Sequence, residues 1–151
     1  MKKLTKQEQR KLRNKAKEEV ERLERILNDE VTSKSLDDFK NKFNICESAY
    51  KIILRKHQIQ KGKSNTTSLK INMTQVPHAL RFAGYNFDDD LLTHLFGAKS
   101  QKGKTVKKLR DNITHGIDEK SVKEIINRKD ELFGYMDSFI NIIKTYDDSV
   151  A

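Results

Sequence analysis

An arginine and a histidine separated by four residues, Arg110 and His115, are the two side chains of this sequence best suited to chemistry on a phosphate. The planar guanidinium of an arginine fits phosphate oxygens. A histidine with a pKa near 6.5 can accept and return a proton at neutral pH. RNA is cleaved when its 2′-hydroxyl attacks the adjacent phosphorus, a reaction that needs proton transfer and a cation for the phosphorane charge. Arg110 and His115 supply one copy of each group.

The two residues that follow the arginine are candidates for supporting roles. Asp111 either orients Arg110 or pairs with a lysine, Lys107 or Lys108, on the surface of the same helix. Asn112 is a candidate to hold the histidine or the substrate by hydrogen bonds. We expect these side chains to surround the reacting phosphate.

The segment 104–117 is predicted to be a short helix that packs on a core. Gly116 is placed to end this helix, because a glycine readily adopts the left-handed conformation that stops one. Residues five apart on a helix differ by about 140° in azimuth, so Arg110 and His115 share a face only if the helix frays. Otherwise they line a groove that another surface completes. The apolar residues recur every three or four positions: Val106, Leu109, Ile113 and Ile117.

The sequence RDNITHG at 110–116 resembles the R-x4-6-H motif of HEPN domains, where a polar residue follows the arginine and a glycine often follows the histidine. Such domains are small all-helical bundles, and many are metal-independent ribonucleases that act as dimers. The resemblance implies catalytic roles for Arg110, His115, Asp111 and Asn112, and two motifs that face each other across a two-fold interface. Asp111 departs from the asparagine commonest at that position in the family, and its charge opposes phosphate binding.

A lysine-rich stretch leads into this motif, and residues 99–110 contain six cations and no anion. With a net charge of +9, the chain favours polyanions through steering and counterion release. We therefore expect RNA binding by this stretch, the alternative being a solvated loop. The predicted RNA-binding residues are Lys99, Lys102, Lys104, Lys107 and Lys108.

The composition predicts an all-α domain spanning 1–151, a small helical bundle of four to six helices with a long C-terminal helix. Hydrophobic and charged residues each make up 35%, with one proline and no tryptophan. The charged N-terminal helix of residues 1–30 is a candidate accessory arm. The predicted helices span residues 5–29, 35–57, 74–84, 91–96, 104–117 and 118–146, with Ser35 or Asp38 capping the second and Asp118 or Ser121 the last.

No metal or cofactor site is predicted. The histidines outside the motif, His57, His78 and His94, do not form a metal-binding spacing with Cys46 or with a carboxylate cluster. We expect a buried, inert thiol at Cys46, because it lies on an apolar face, and a surface position for His57 at the end of its helix.

Two classes of function stay open, with a third of lower weight. The first is a ribonuclease, a toxin or phage-defence effector with RNA as substrate and an antitoxin or regulatory protein as possible partner. The second is a non-catalytic HEPN-like module that binds nucleic acid, a nucleotide or a protein. The third is a helical adaptor that dimerises through its first helix. Because no apolar run approaches the 18 residues of a membrane span, we expect no membrane contact and a cytoplasmic location.

Overall fold

The computed structural model describes residues 4–62, 69–98 and 103–145, except for the side chains at 19, 20, 22, 23 and 26–28. None of these residues lies in a β-strand, and the predicted all-α helical bundle with a long C-terminal helix is confirmed. The described residues form seven helices, where four to six were predicted. They are α1 (Lys6–Asn28), α2 (Glu30–Gln60), α3 (Val76–Phe82), α4 (Asp89–Phe96), α5 (Val106–Thr114), α6 (Glu119–Asn127) and α7 (Lys129–Thr145). The chain forms two compact units, Met1–Asp37 and Asp38–Ala151.

Helix α1 begins with a capping box, as its predicted start at residue 5 requires. The hydroxyl of Thr5 accepts a hydrogen bond from the backbone N–H of Glu8 at 3.1 Å, and the Glu8 carboxylate accepts one from the Thr5 N–H at 3.1 Å. The helix ends one residue before Asp29, close to the predicted end.

Helix α2 starts earlier than predicted. The carboxylate of Asp29 accepts hydrogen bonds from the N–H groups of Val31 and Thr32 at 3.1 and 3.4 Å, so Asp29 begins a new helix directly after α1. The predicted caps at Ser35 and Asp38 are wrong, because both residues lie inside α2. Since no glycine or proline interrupts residues 30–60, the helix continues without a break to Gln60.

The core of the second unit is built from apolar side chains of α2, α4, α5 and α7. Phe96 of α4 is at its centre, with ring centroids 5.9 Å from Phe43, 5.4 Å from Tyr50 and 5.5 Å from Phe139. Other side chains that are at most 6% exposed come from α2, α5 and α7: Phe39, Cys46, Leu54, Val106, Leu109, Ile113, Leu132 and Met136. Val106, Leu109 and Ile113 therefore fix one side of α5 against its neighbours, and Lys108, on another side, is exposed.

The single helix predicted over 118–146 is two helices, α6 and α7, which meet at Arg128. Arg128 leaves the helical conformation with φ −104° and ψ 19°, and its Nη1 donates to the carbonyl oxygen of Lys104 at 2.8 Å. Its side chain also pairs with Glu124 and with Glu131. Ile126, just before the break, is 36% exposed. Tyr146, the last residue of the predicted span 118–146, lies outside the described residues.

The shorter helices follow their local signals. Pro77 lies in the first turn of α3, Asp88 caps α4 by accepting from the Asp90 N–H at 2.9 Å, and Gly97 ends α4. His57 is the exception: it is only 8% exposed, with its ring 5.0 Å from that of Phe82, because α2 runs past it. No helix among the described residues is long and apolar enough to cross a membrane.

Candidate functional site

Helix α5 is anchored at its start by Thr105, a residue that the sequence analysis did not single out. The Thr105 hydroxyl accepts from the N–H of Lys108 at 3.2 Å and donates to the carbonyl oxygen of Gly97 at 2.6 Å. The side chain is only 1% exposed. A threonine just before an apolar-periodic segment is an N-cap signal, so this role was available in the sequence.

The other end of α5 presents the histidine. His115 is the C-cap residue, its N–H donates to the carbonyl oxygen of Asp111 at 3.3 Å, and its imidazole is exposed. Gly116 follows with a φ of +157°, and apart from its two chain neighbours no atom lies within 4 Å of a Cβ added there. The helix therefore ends just before the predicted glycine, and the space next to Gly116 is open.

Arg110 points to a different side of α5 and is held firmly. Its Nη2 donates to Glu47 of α2 at 2.8 Å, and its Nε donates to Asp111 at 3.0 Å. Its Nη1 has a longer contact, 3.5 Å, with Asn44, and its Cζ lies 4.7 Å from the centre of the Phe43 ring. The side chain is 17% exposed. A guanidinium has five N–H groups, so these contacts leave two for another ligand.

The arginine is the middle of a chain of five alternating charges. Lys51 contacts Glu47 at 3.5 Å, Glu47 contacts Arg110, Arg110 contacts Asp111, and Asp111 contacts Lys107 at 3.1 Å. Both roles considered for Asp111 hold at once, because one carboxylate oxygen orients the arginine and the other pairs with the lysine. Three cations and two carboxylates leave the chain with one net positive charge.

Glu47 and Lys51 were missed by the sequence analysis. Their spacing of four residues is a helical ion-pair signal within α2, but nothing in the sequence connects Glu47 to Arg110, which lies 63 positions away. Only the packing of α5 on α2 brings these charges together.

Asn112 ties α5 to the start of α6. Its amide nitrogen donates to the hydroxyl of Ser121 at 3.0 Å, and that hydroxyl donates to Asp118 at 2.7 Å. The hydrogen bond from Ser121 lowers the pKa of Asp118. Asp118, rather than Ser121, caps α6. A hydrogen bond from Asn112 to His115 stays a prediction, since the contact found for the amide nitrogen is with Ser121.

The predicted RNA-binding lysines differ in their surroundings. Lys108 is exposed and lies seven residues before His115, which places the two about 20° apart in azimuth on the same side of α5. Lys107 is ion-paired with Asp111. The backbone of Lys104 is fixed by Glu124 and Arg128, which contact its N–H at 3.2 Å and its carbonyl at 2.8 Å. Lys99 and Lys102 lie outside the described residues.

The remaining reactive side chains do not form a site. No group of three or more His, Cys, Asp or Glu among the described residues is arranged to hold a metal ion. Cys46 is fully buried, as predicted, and burial raises its pKa to about 12. His94 stacks on Tyr135 with ring centroids 4.6 Å apart, and the Nδ1 of His78 is 3.3 Å from the Arg81 guanidinium.

Comparison with known proteins found no matching family model, no matching curated protein and no matching solved structure. The resemblance to HEPN domains therefore depends on residues 110–116 and on the all-helical fold. Because a fold alone does not determine a function, the function depends on the chemistry of Arg110, His115 and the groups around them.

Proposed function

We propose that this chain is a metal-independent endoribonuclease that cleaves RNA by attack of the 2′-hydroxyl, and that it acts in the cytoplasm as a toxin or phage-defence effector. The observation that supports the proposal is the contrast between Arg110 of α5 and His115 at the end of that helix. His115 is exposed next to the open space at Gly116, while Arg110 is fixed by Glu47 and Asp111 with two N–H groups left for a phosphate.

In this mechanism His115 accepts the proton of the 2′-hydroxyl as that oxygen attacks phosphorus. The bond from phosphorus to the 5′-oxygen breaks, and that oxygen takes a proton from a second imidazole. The remaining N–H groups of Arg110 stabilise the extra negative charge on the phosphorane. The products carry a 2′,3′-cyclic phosphate and a 5′-hydroxyl. Lys108, on the same side of α5 as His115, contacts the adjoining backbone.

A homodimer supplies the second imidazole. Within one chain His115 occurs once, and Arg110 lies about 140° around the helix from it. A two-fold axis near residues 104–117 brings two such helix ends together and completes both proton-transfer roles. Light scattering at tens of micromolar tests this arrangement, because an active monomer would exclude it.

The decisive experiment incubates labelled RNA in EDTA with the wild type, His115→Ala and Arg110→Ala. Loss of proton transfer is expected to slow cleavage about 10²–10⁴-fold, and loss of the charge-stabilising donor about 10²–10³-fold. His78→Ala and Arg81→Ala are matched controls, because this exposed pair lies outside α5. RNA with 2′-O-methyl groups should resist. Undiminished cleavage by His115→Ala, or loss of wild-type cleavage in EDTA, would refute the mechanism.

One observation favours a second candidate, a non-catalytic module that binds nucleic acid, a nucleotide or a partner protein. Three of the five N–H groups of Arg110 already have acceptors, and the side chain lies over Phe43. Such an arginine can serve to join α5 to α2. This candidate predicts that Arg110→Ala lowers stability while no variant changes the RNA.

A further inference from the structure

Four cations lie along one side of the first turns of α1. Residues Lys6, Arg10, Arg13 and Lys17 are separated by four, three and four positions, which places them within about 60° of azimuth on a helix. All four side chains are exposed. The stripe extends about 16 Å along the helix axis at 1.5 Å per residue. We call these four residues the α1 stripe.

Little within residues 6–17, all of which the structure describes, neutralises this charge. Glu8 is the one carboxylate among residues 6–17, and it faces away from the stripe because it closes the capping box with Thr5. The nearest described partner of the stripe is Glu21, 4.0 Å from Lys17, in a pair whose side chains are 76% and 52% exposed. So exposed a pair contributes little and leaves Lys17 accessible to another anion.

The polar character of this surface identifies the kind of partner. The side chains of Gln7 and Gln9 line the same shallow depression as the first three stripe residues and offer hydrogen-bond donors beside the charges. Only Leu12 and Ala16 are apolar among residues 6–17, which is too few for an apolar face that would enter a lipid surface. A row of separated cations with amide donors fits a phosphodiester backbone, which carries one charge per nucleotide at a regular interval.

We propose that the α1 stripe is a nucleic-acid-binding surface that contacts the phosphate backbone of a single strand of RNA. Its length corresponds to roughly five nucleotides of a stacked strand at ~3.4 Å per nucleotide. The stripe extends the proposed ribonuclease to a second RNA contact, and only the choice of RNA over DNA depends on that proposed function. The stripe holds RNA by charge and is not sequence-selective, since contacts to phosphates carry no information about the bases.

The test measures binding separately from cleavage. The ligand is a fluorescent 2′-O-methyl RNA of about 20 nucleotides, long enough for several phosphate contacts, and its blocked 2′-oxygen prevents the proposed reaction. Fluorescence anisotropy over a salt series compares the wild type with K6Q/K17Q on the stripe and K11Q/K15Q off it. Both variants replace two exposed lysines of α1 and lower the net charge equally. Circular dichroism checks that each keeps its helix.

Each phosphate contact contributes about 0.7 to the slope of log affinity against log salt for a single strand, so K6Q/K17Q should flatten the slope by about 1.4. If affinities match near 1 M salt, that variant binds about 25-fold more weakly near 0.1 M. K11Q/K15Q should lose less than half of this slope, because its two lysines lie about 130° and 170° around the helix from the middle of the stripe. R10Q/R13Q should repeat the result of K6Q/K17Q.

Three outcomes overturn the proposal. In the first, K6Q/K17Q keeps the wild-type slope. In the second, the two lysine variants lose equal slope, which would reduce the effect to net charge. In the third, stripe-dependent binding is found with vesicles containing phosphatidylserine and not with the RNA. A DNA strand of the same length should bind through the stripe too. Failure here leaves the cleavage of RNA by wild type and His115→Ala as a separate test of the proposed function.

Discussion

The ion pair between Glu47 and Arg110 offers the sharpest test of how the candidate site is built. Its Nη2–Oε2 distance is 2.8 Å, and the two side chains are 20% and 17% exposed. A double-mutant cycle with Glu47→Gln, Arg110→Gln and the combined variant isolates the energy of this contact, because each single change removes one charge of the pair and the combined variant subtracts the effects that either change has elsewhere.

The expected coupling lies between two limits. Hydrogen bonds to charged groups contribute about 1.5–3 kcal/mol when shielded from water, and fully exposed ion pairs contribute about 0–1 kcal/mol. For side chains about one-fifth exposed, whose partners also include Asp111 and Lys51, we expect a coupling of about 1–2 kcal/mol. A loss of about 1–2 kcal/mol in a single variant should lower the melting temperature by about 2–8 °C, since 1 kcal/mol corresponds to roughly 2–4 °C in a chain of this size.

Urea unfolding followed by circular dichroism measures the cycle. The control is Lys42 and Asp137, a direct pair of similar chemistry whose side chains are 31% and 59% exposed; its coupling should stay below about 0.5 kcal/mol. A coupling between Glu47 and Arg110 no larger than the control's would show that the contact does not fix the guanidinium. Cleavage assays on the same variants then separate the two candidate functions. A ribonuclease loses activity in Arg110→Gln beyond what its stability explains, whereas a binding module has no activity to lose.

Three further predictions follow from burial and local geometry. Gly97→Ala should destabilise the fold by about 1–3 kcal/mol, because its Cβ would meet a backbone oxygen at 2.6 Å. Gly134→Ala should stabilise the fold by about 0.5–1 kcal/mol, because this glycine lies within α7 and has open space around its Cβ position. Urea unfolding of both variants checks the sign of each change. Burial raises the pKa of Cys46 to about 12 from 9.0, so above pH 9 the unfolded chain loses the thiol proton that the folded chain keeps. The free energy of unfolding should therefore fall as the pH rises from 9 towards 12, and it should fall less steeply in Cys46→Ala. Lys108→Gln should weaken RNA binding and cleavage more than Lys107→Gln, because Lys107 is already paired with a carboxylate, and the reverse order would remove Lys108 from the site.

The fold was predictable wherever the signal was local. The capping box at Thr5 and the cap at Asp88 involve residues two or three positions apart, so sequence alone identifies both partners. The apolar face from Phe39 to Leu54 repeats at helical spacing, and its buried members are those the period selects. The same reasoning placed α5 and the glycine that follows His115.

The wrong predictions concern helix boundaries, which the local sequence alone does not determine. Residues 118–146 contain no proline, and their single glycine, Gly134, lies inside α7, so the sequence offers no reason to divide the helix. Arg128 divides it because its guanidinium binds the carbonyl of Lys104, 24 positions away. For the start of α2, six serine, threonine or aspartate residues occur between residues 29 and 38, and Asp29 caps the helix because α1 has just ended there. Local propensity cannot rank such choices, since their energies differ by only about 1 kcal/mol.

The candidate site has one feature that the sequence predicts and one that it does not. Helical spacing correctly separates Arg110 from His115, because residues five apart cannot share a face when α5 continues to Thr114. Which of the two faces water depends on Glu47 and Phe43 of α2, which the spacing cannot reveal. These contacts limit how Arg110 can bind a phosphate. Its charge is already balanced by neighbouring carboxylates, so a phosphate must use the remaining N–H groups beside Glu47 or displace it. If RNA displaces Glu47, then Glu47→Gln should tighten binding; if RNA adds to the existing contacts, the same change should loosen Arg110 and slow cleavage.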